Sequence, residues 1–252
     1  MTLKVLTYNI HKGFAAGNRR FVLQQIRDSI ATVDCDLVFL QEVQGAHSGH
    51  AESQKFWPSE SQFEFLAGNI WPHFAYGKNA VYSQGHHGNA ILSKHGFVSW
   101  ENIDCSTNAL EQRGLLHGVI EVAKNLPHLH VICVHLDLLE KGRRLQIQQI
   151  CDRVAHSVPA DAPLILAGDF NDWNHSIGRL VEHKLNMSEA HKNLHTYYAR
   201  TFPSRFPLLR LDRIYVRGYV PLACRTLSGS PWNSLSDHSP LLAELKVREI
   251  ED

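Results

Sequence analysis

A strand–helix–strand unit at the amino terminus, closed by an acidic residue, constrains the fold of this chain more than any other feature. Two strands, "LKVLTYNI" and "DLVFLQEV", flank "RRFVLQQIRDSIATV", which has apolar residues at helical spacing. The second strand is almost wholly apolar, which is typical of a strand buried on both faces. The unit therefore predicts a sheet with a helix packed against it.

The same unit returns in the second half of the chain. The strands "LHVICVHLDL" and "APLILAGDFND" flank the amphipathic helix "KGRRLQIQQICDRVAHSV", and the last strand again ends in an acid. Strands outnumber helices, which favours two packed sheets flanked by helices. Outside the two units we predict the short helix "EFLAGNIW", a polar helix near Ile177–His183, and the strands "HFAYGKNAVY", "GNAILSKH", "FVSWENID", "GLLHGVIEVA", "RLDRIYV" and "PLLAEL".

Sequence spacing relates the two units to each other. Asn9 and Glu42 lie 33 positions apart, and His135 and Asp169 lie 34 apart, with each pair at strand ends across one helix. We infer two similar halves whose strand ends meet at a common edge. Common ancestry and a chance match of a common motif both fit the repetition.

Composition limits the architecture and the partners. The 252 residues are 44% hydrophobic and contain no linker, which favours a single domain over residues 1–252. Lys plus Arg and Asp plus Glu both number 25, so no global field attracts nucleic acid or anionic membrane, although local patches remain open. No apolar run approaches the roughly 20 residues of a spanning helix. The absence of a signal sequence and five cysteines without CxxC spacing predict a cytoplasmic protein with reduced thiols.

Eight polar residues follow or interrupt the apolar strands, and their chemistry points to a reaction. Carboxylate and amide oxygens without thiolates suit Mg²⁺ or Mn²⁺, and such a metal commonly serves phosphate chemistry in which a carboxylate activates water. Neighbouring residues point to opposite sides of an extended backbone. Asp237 therefore does not orient His238, and Asp212 is the available partner. The eight residues are Asn9, Glu42, His135, Asp169, Asn171, Asp212, Asp237 and His238.

An ordered series of motifs carries a family resemblance from Thr7 to Leu242. The motifs are "TYNIHKG", "LQEV", "GNAILS", "VHLD", "AGDFND", "LDRIYV" and "SDHSPL". Each motif alone is weak, but in this order they resemble the endonuclease/exonuclease/phosphatase superfamily, whose members include DNase I, exonuclease III, neutral sphingomyelinase and inositol polyphosphate 5-phosphatases. The resemblance implies a DNase I-like α/β fold, a four-layer α/β/β/α sandwich of two mixed β-sheets flanked by helices. It also implies cleavage of a phosphoester by water with Mg²⁺ or Mn²⁺ as cofactor.

Matching the motifs position by position implies a role for each residue of the metal set. Glu42 in "LQEV" would be the principal metal ligand. Asn9 in "TYNIH" would lie beside it and position metal or phosphate, and Asp237 in "SDH" would help to bind metal.

The catalytic set follows from the same match. Asp169 in "GDFN" would hold and activate the water, and Asn171 would contact the phosphate. His238 would bind the phosphoryl oxygen, oriented by Asp212. The period of a strand places Asp169 and Asn171 on one side, whereas Asp172 falls out of phase and is expected to be a turn or capping residue.

His135 in "VHLD" fits the branches with a histidine at this strand end, as in sphingomyelinase-like and DNase I-like members. The exonuclease III branch has a tyrosine in the corresponding region, which argues against abasic-site repair. An imidazole near a phosphate would stabilise added negative charge. A hydrogen-bonded histidine at a strand end is the alternative.

Four further residues are candidates for substrate binding: Arg113, Asn89, Trp173 and Arg210. Arg113 fits a phosphate-binding residue and an ordinary surface arginine equally. Trp173 could stack on a base, but we expect it to pack under its loop. The loop "TFPSRFPLLRLD" is stiffened by two prolines and could accept an acyl chain or a nucleobase, or simply cover the core. We expect His86 and His87 to be exposed turn residues, and Gln44–Ser61 to be a mobile loop.

The leading hypothesis is a metal-dependent phosphodiesterase, with a small-molecule or phospholipid-like substrate preferred because the net charge disfavours tight duplex binding. The first alternative is a DNA or RNA endonuclease or exonuclease with the same machinery. A non-catalytic binding module on the same fold ranks below both, since no catalytic position is altered. A zinc hydrolase would need histidines grouped on a helix, which the sequence lacks. Peripheral membrane contact remains open, and no obligate protein partner is inferred.

Overall fold

The computed structural model describes residues 1–17, 20–47, 49, 54, 56–108 and 111–248. Within these residues the helices are α1 (Leu23–Val33), α2 (Gln62–Ala67), α3 (Glu140–Ser157), α4 (Gly178–Leu185) and α5 (Ala190–His195). The strands are β1 (Thr2–Asn9), β2 (Leu37–His47), β3 (His73–Tyr82), β4 (Gly85–Ser93), β5 (Gly96–Asp104), β6 (Gly114–Glu121), β7 (Leu129–His135), β8 (Leu164–Asp169), β9 (Ser188–Glu189), β10 (Asp212–Arg217), β11 (Tyr219–Thr226) and β12 (Leu241–Val247). No helix among the described residues combines the length and hydropathy needed to cross a membrane.

The strands form two six-stranded sheets. The first has the order β11-β12-β1-β2-β4-β3 and the second has the order β5-β6-β7-β8-β10-β9. The pairs β1–β2 and β7–β8 are parallel, and the other paired strands are antiparallel, so both sheets are mixed. Each predicted strand–helix–strand unit therefore provides the parallel pair near the middle of its own sheet.

The sheets pack face to face across a central apolar layer. Leu3, Val5 and Phe39 of the first sheet share this layer with Val131 and Ile165 of the second, and all five are buried. Side chains alternate across a strand, so the residues of β1 and β2 between these positions point to the opposite face of the first sheet.

Helices cover the two outer faces. Ile26 of α1 shares a buried cluster with Leu6 of β1, while Ile147 of α3 shares another with Leu166 of β8 and Tyr215 of β10. Helix, sheet, sheet and helix thus form four layers, and the predicted α/β/β/α sandwich of two mixed sheets is confirmed.

The strand registers bring the polar ends to one edge of the sandwich. In the first sheet Asn9 pairs with Gln41, one residue before Glu42. In the second sheet Asp169 pairs with His135 on one side and with Asp212 on the other. The predicted common edge is therefore present in both sheets.

Three of these strands and helices were not predicted from the sequence: the two-residue strand β9, strand β11 and helix α5. Strand β11 contains Pro221, which argues against a strand inside a sheet, but β11 lies at the sheet edge, where the missing N–H donor is tolerated. Helix α5 has only six residues and a polar sequence.

The segment Gln44–Ser61 differs in part from the predicted mobile loop. Residues 44–47 extend strand β2, and Ser61 caps helix α2 by accepting a hydrogen bond from the Glu64 backbone N–H. Residues 48, 50–53 and 55 lie outside the described part of the chain.

Candidate active site

Asp169 is the centre of the polar cluster at the common edge of the two sheets. Its side chain is buried at the end of β8, and its Oδ2 accepts a hydrogen bond of 3.2 Å from Asn9 Nδ2 of the opposite sheet. Two imidazoles face the same oxygen, with His135 Nε2 at 3.5 Å and His238 Nε2 at 3.6 Å. The other oxygen, Oδ1, accepts the Asn171 backbone N–H at 2.9 Å. Two hydrogen bonds therefore hold this carboxylate, and two imidazoles lie next to it.

Asp212 and His238 form a buried pair beside Asp169. The His238 Nδ1 lies 2.8 Å from Asp212 Oδ2, and both side chains are buried. Since the carboxylate accepts, Nδ1 carries the proton and the opposite ring nitrogen, Nε2, points toward Asp169. The predicted pairing of His238 with Asp212, rather than with its neighbour Asp237, is present.

A β-bulge directs Glu42 into the site. The register of β2 against β4 shifts between Leu40 and Val43, and Glu42 has a left-handed backbone with φ of 55°. A bulge adds a residue and turns a side chain toward the other face of the strand. The Glu42 Oε1 accepts a hydrogen bond from Asn9 Nδ2 at 3.3 Å, and its Oε2 lies 3.6 Å from Lys12 Nζ.

Asn9 connects the two sheets through its amide. Its Nδ2 lies between Glu42 and Asp169, and its Oδ1 accepts the His11 backbone N–H at 3.1 Å. The Asn9 backbone carbonyl accepts a hydrogen bond from Ser236 Oγ at 2.8 Å, and Asp237 Oδ1 lies 3.2 Å from the same hydroxyl oxygen. The half-buried Asp237 is thus tied to the site through Ser236.

Asn171 and Asp172 follow β8 in a turn, and the alternation of a strand does not decide their directions. Asn171 has a left-handed φ of 48°, and its Nδ2 donates to the Leu136 backbone carbonyl at 2.9 Å. The buried Asp172 pairs with Arg213 Nη1 at 2.9 Å and accepts the Ser176 backbone N–H at 2.9 Å. The expectation that Asp172 is a structural turn residue is confirmed.

Electrostatics give His238 and His135 different charge states. Burial lowers the pKa of His238, but the carboxylates of Asp212 and Asp169 outweigh it and raise the pKa to about 10, which favours an imidazolium. Burial, followed by the charges of Arg113 and His238, holds the pKa of His135 well below its ordinary value. His135 is therefore a neutral imidazole.

The pKa values of the carboxyl groups of Asp169 and Glu42 are shifted in opposite directions. Burial raises the pKa of Asp169 to about 6; the charge of His238 opposes this and the charge of Asp212 adds to it. Burial also raises the pKa of Glu42, but the Lys12 charge and the Asn9 hydrogen bond outweigh it, so the net pKa is lowered. Glu42 stays ionised, whereas Asp169 can exchange a proton near neutral pH.

The donor set fits a divalent cation. Ligand atoms of Asp169, Asp212 and His238 all lie within 4.8 Å of one another, and Asp212 Oδ1 is buried without a hydrogen-bond partner. Carboxylate oxygens dominate the site, which is the chemistry that Mg²⁺ and Mn²⁺ prefer. An imidazolium offers no lone pair, so the acids are the better ligands in this group.

The four candidates for substrate binding are not brought together. Arg113 is largely buried beside Glu111, with 3.4 Å between Arg113 Nη2 and Glu111 Oε2. The charge of Arg113 helps to lower the pKa of His135. Asn89 is buried, and its Nδ2 donates to the Gly114 carbonyl at 3.0 Å across the two sheets. Trp173 is 58% exposed, so the expected packing under its loop is wrong. Arg210 Nη1 lies 3.4 Å from His175 Nε2.

Several residues at the site were missed or misread in the sequence. His86 and His87 lie in strand β4 instead of an exposed turn, and His87 Nδ1 is buried without a partner. The His87 pKa is lowered to about 4 by burial and by the Lys12 charge. Ser236, in "SDHSPL", could have been suspected as a hydroxyl next to the Asp237 motif, whereas Phe202, whose ring lies 5.0 Å from that of His238, carried no local signal.

Sequence comparison decides the family. Residues 6–238 match the Endonuclease/Exonuclease/phosphatase family. The chain belongs to this family. Within it, the chain is 46% identical over 246 residues to a protein of Escherichia coli K12 called "Uncharacterized protein YbhP", with 98% of this chain and 97% of that protein covered.

Solved structures of the endonuclease/exonuclease/phosphatase family share the fold. A family member from Bacteroides vulgatus aligns with a TM-score of 0.76 and 19% identity over 98% of this chain and 100% of its own. TDP2 from D. rerio in complex with a single-strand DNA product aligns with a TM-score of 0.73 and 17% identity over 98% and 99%. At these identities the likeness establishes the DNase I-like fold.

Proposed function

We propose that the protein is a Mg²⁺-dependent phosphodiesterase that hydrolyses a P–O bond with an activated water. The observation that carries this proposal is the convergence of Asn9 and His238 on one carboxylate oxygen of Asp169. A carboxylate held by several donors, next to an imidazolium, combines a proton acceptor with a proton donor within one small space.

The metal would be held by Glu42, with Asn9 beside it and Asp237 as a further oxygen ligand. When bound, it supplies positive charge that polarises the phosphoryl group and stabilises the negative charge of the transition state. Mn²⁺ offers the same coordination chemistry. The left-handed backbone at Glu42 supports this role, because strained conformations concentrate at functional sites.

Asp169 would accept the proton of the attacking water at Oδ2. Its pKa of about 6 makes the ionised base dominant at neutral pH while leaving it basic enough to accept a proton. The water oxygen then forms the new bond to phosphorus, and the bond to the leaving oxygen breaks. Asn171 would contact the phosphate.

His238 would donate a hydrogen bond from Nε2 to a phosphoryl oxygen, because Nδ1 is engaged by Asp212. Neutral His135 would add a second hydrogen bond near the same oxygen as charge develops. Arg113 is proposed to bind the phosphate from the side of His135, since the positive charge of Arg113 helps to lower the pKa of His135. Asn89, Trp173 and Arg210 stay weaker proposals as substrate-binding residues.

The substrate class is the finer part of the proposal. A small-molecule or phospholipid-like ester is preferred, because the chain has a formal net charge of zero and therefore no global positive field to attract a nucleic acid. The fold likeness to TDP2 with its single-strand DNA product supports nuclease activity as the second candidate. We further propose that residues 1–252 act as one domain in the cytoplasm without an obligate protein partner.

Hydrolysis of bis(p-nitrophenyl) phosphate tests the chemistry. We expect activity with Mg²⁺ or Mn²⁺ that EDTA abolishes and that Asp169→Asn and His238→Ala each reduce by at least about 100-fold. The exposed Asp161→Asn is the matched control and should retain full activity. Metal-dependent activity that survives in Asp169→Asn would refute the mechanism.

A substrate panel separates the two candidates. Single-stranded DNA, abasic duplex DNA, a nucleotide diester and a lysophospholipid would be compared with the same enzyme and the same metal. Cleavage of the nucleic acids alone would replace the preferred substrate class by the nuclease.

A further inference from the structure

The segment between strands β9 and β10 carries positive charge without any acid. Residues 190–211 contain four Lys or Arg residues and no Asp or Glu, although the whole chain has 25 of each charge type. Lys192 pairs with Glu182 at 2.7 Å. Arg200, Arg205 and Arg210 have no carboxylate within ion-pair distance among the residues that the structure describes.

Within this segment the residues Phe202–Leu209 form a hairpin. The Leu208 and Leu209 backbone N–H groups both donate to the Phe202 carbonyl at 2.8 Å, and the Phe206 N–H donates to the Pro203 carbonyl at 3.1 Å. The hairpin tip presents two large apolar side chains to solvent, since Phe206 is 77% exposed and Leu208 is 67% exposed. Such exposure carries a cost unless a partner covers it.

The base of the hairpin is fixed next to the candidate active site. Ser204 donates from Oγ to the Ser236 carbonyl at 2.6 Å, and its backbone N–H donates to the Asp237 carbonyl at 2.7 Å. Thr201 Oγ1 accepts the Asp212 backbone N–H at 3.3 Å. The apolar tip is therefore held in a defined position relative to His238, and little conformational freedom would be lost on docking.

Two of the arginines line a cavity at the foot of the hairpin. The cavity has a volume of about 530 Å³ and is lined by His191, Tyr197, Arg200, Arg210 and Thr226. The His191 Nδ1 donates to the Tyr197 backbone carbonyl at 2.8 Å, which leaves Nε2 as its free ring nitrogen. No carboxylate lines this cavity, so its charge suits a phosphate group.

Other exposed apolar side chains lie at the same end of the sandwich. Leu139 follows β7 and is 67% exposed, and Trp173 follows β8 and is 58% exposed. Their loops are joined by a hydrogen bond of 2.8 Å from Asn174 Nδ2 to Glu140 Oε2. The end of the sandwich that carries Asp169 therefore exposes apolar side chains at the hairpin and also in the segments that follow β7 and β8.

We propose that the Phe202–Leu209 hairpin docks this end of the protein on an anionic phospholipid bilayer. Phe206 and Leu208 enter the interface, Arg205 meets headgroup phosphates, and the cavity of Arg200 and Arg210 takes one phosphate. Apolar side chains flanked by arginines match the chemistry of such a surface, which attracts cations and covers apolar groups. A nucleic acid would meet the arginines and could stack a base on Phe206, but it would leave the aliphatic Leu208 at the tip uncovered.

The docking would place a phosphoester of the bilayer beside the candidate active site, and this consequence rests on the proposed function. Docking itself needs no catalysis. An inactive variant such as His238→Ala should bind vesicles as the wild type does, so failure of the chemistry and failure of docking give different results.

Flotation of the full-length protein with vesicles tests the proposal. Vesicles of phosphatidylcholine alone and of phosphatidylcholine with phosphatidylglycerol would be compared at low and physiological salt. We expect saturable binding to the anionic vesicles that weakens with salt. The Phe206→Ser/Leu208→Ser pair should lose about tenfold or more in affinity, and Arg200→Ser, Arg205→Ser and Arg210→Ser roughly fivefold each.

Val98→Ser/Trp100→Ser is the matched control, because these side chains are 55% and 50% exposed on β5, which lies at the opposite edge of its sheet from β9 and β10, the strands that flank the segment with the hairpin. Its affinity should equal that of the wild type, and circular dichroism should show that all variants are folded. Absence of binding to anionic vesicles, or an equal loss in the control pair, would overturn the proposal. Binding to an oligonucleotide but not to vesicles, lost with the arginine variants, would assign the segment to nucleic acid instead.

Hydrolysis gives a second readout. Phe206→Ser/Leu208→Ser should leave the turnover of soluble bis(p-nitrophenyl) phosphate unchanged, because neither residue touches the Asp169 cluster. The same pair should reduce hydrolysis of a phospholipid presented in vesicles by about tenfold. Equal effects on both esters would indicate a distorted active site and would overturn the docking role.

Discussion

Replacing Asp212 by Asn removes the charge that holds His238 as an imidazolium while keeping the size of the side chain. The pair is buried, with 2.8 Å between Asp212 Oδ2 and His238 Nδ1. Burial lowers the pKa of His238, but Asp212 and then Asp169 raise it from 6.5 to about 10. That net change corresponds to roughly 5 kcal/mol in favour of the protonated ring.

The two carboxylates share this effect, and Asp212 has the larger part. We expect Asp212→Asn to lower the free energy of unfolding by about 2–3 kcal/mol at pH 6, within the range for charged hydrogen bonds. Because the folded-state pKa of His238 lies above its unfolded value, its stabilisation is fully present below pH 6.5 and is lost as the pH rises to about 10. The difference between wild type and variant should therefore narrow over that window.

Urea unfolding, followed by tryptophan fluorescence at pH 6 and at pH 9.5, measures the stability effect. Hydrolysis of bis(p-nitrophenyl) phosphate at neutral pH measures the catalytic effect, for which we expect a loss in kcat of about 10²–10⁴-fold, since an amide orients the ring but does not keep it charged. Asp161→Asn, on the surface, is the control for both assays. The reasoning would be refuted by a variant with wild-type kcat and a stability difference that does not change with pH.

Three further predictions concern other buried charges and the metal. Asp172→Ala should lower the free energy of unfolding by about 3–5 kcal/mol in urea, because it leaves the buried Arg213 guanidinium without its 2.9 Å partner; a loss below 1 kcal/mol would contradict a structural role. The pKa of His117 is lowered to about 4 by burial and by the charges of His130 and Arg153. The stability that neutral His117 contributes above pH 6.5 should therefore be lost as the pH falls to 4. In urea titrations, His117→Gln should reduce the dependence of the free energy of unfolding on pH over this range. Mn²⁺ should raise the melting temperature of the wild type but not of Glu42→Gln, and an equal rise in both would exclude Glu42 as the principal ligand.

The strands of the core could be predicted from the sequence because their pattern is local. An apolar segment such as Leu164–Asp169 is buried on both faces, so its composition alone marks it as a central strand. Strand β11 was missed because Pro221 is a negative signal in a strand, and only the neighbouring strands determine that β11 lies at an edge.

The candidate site was predictable to the level of residue types and strand ends, but not to the level of side-chain direction. The predicted partner Asp212 lies against the His238 ring, although Asp237 and His238 lie in a bend and not on the extended strand that the prediction assumed. Period-two alternation also fails after Asp169, because the strand ends there and Asn171 adopts a left-handed turn. The catalytic roles of all these residues stay predictions.

The sequence by itself determined ten of the twelve strands, and that polar groups follow several of them, because hydrophobic patterning is a short-range property. It also carried the family motifs that predicted the two-sheet sandwich. Only the tertiary structure decided that Asn9 meets Asp169 across 160 positions of chain, that a bulge turns Glu42 toward them, and that an apolar hairpin lies beside His238. These relations depend on the packing of two sheets, and packing brings together residues between which the sequence contains no signal of contact.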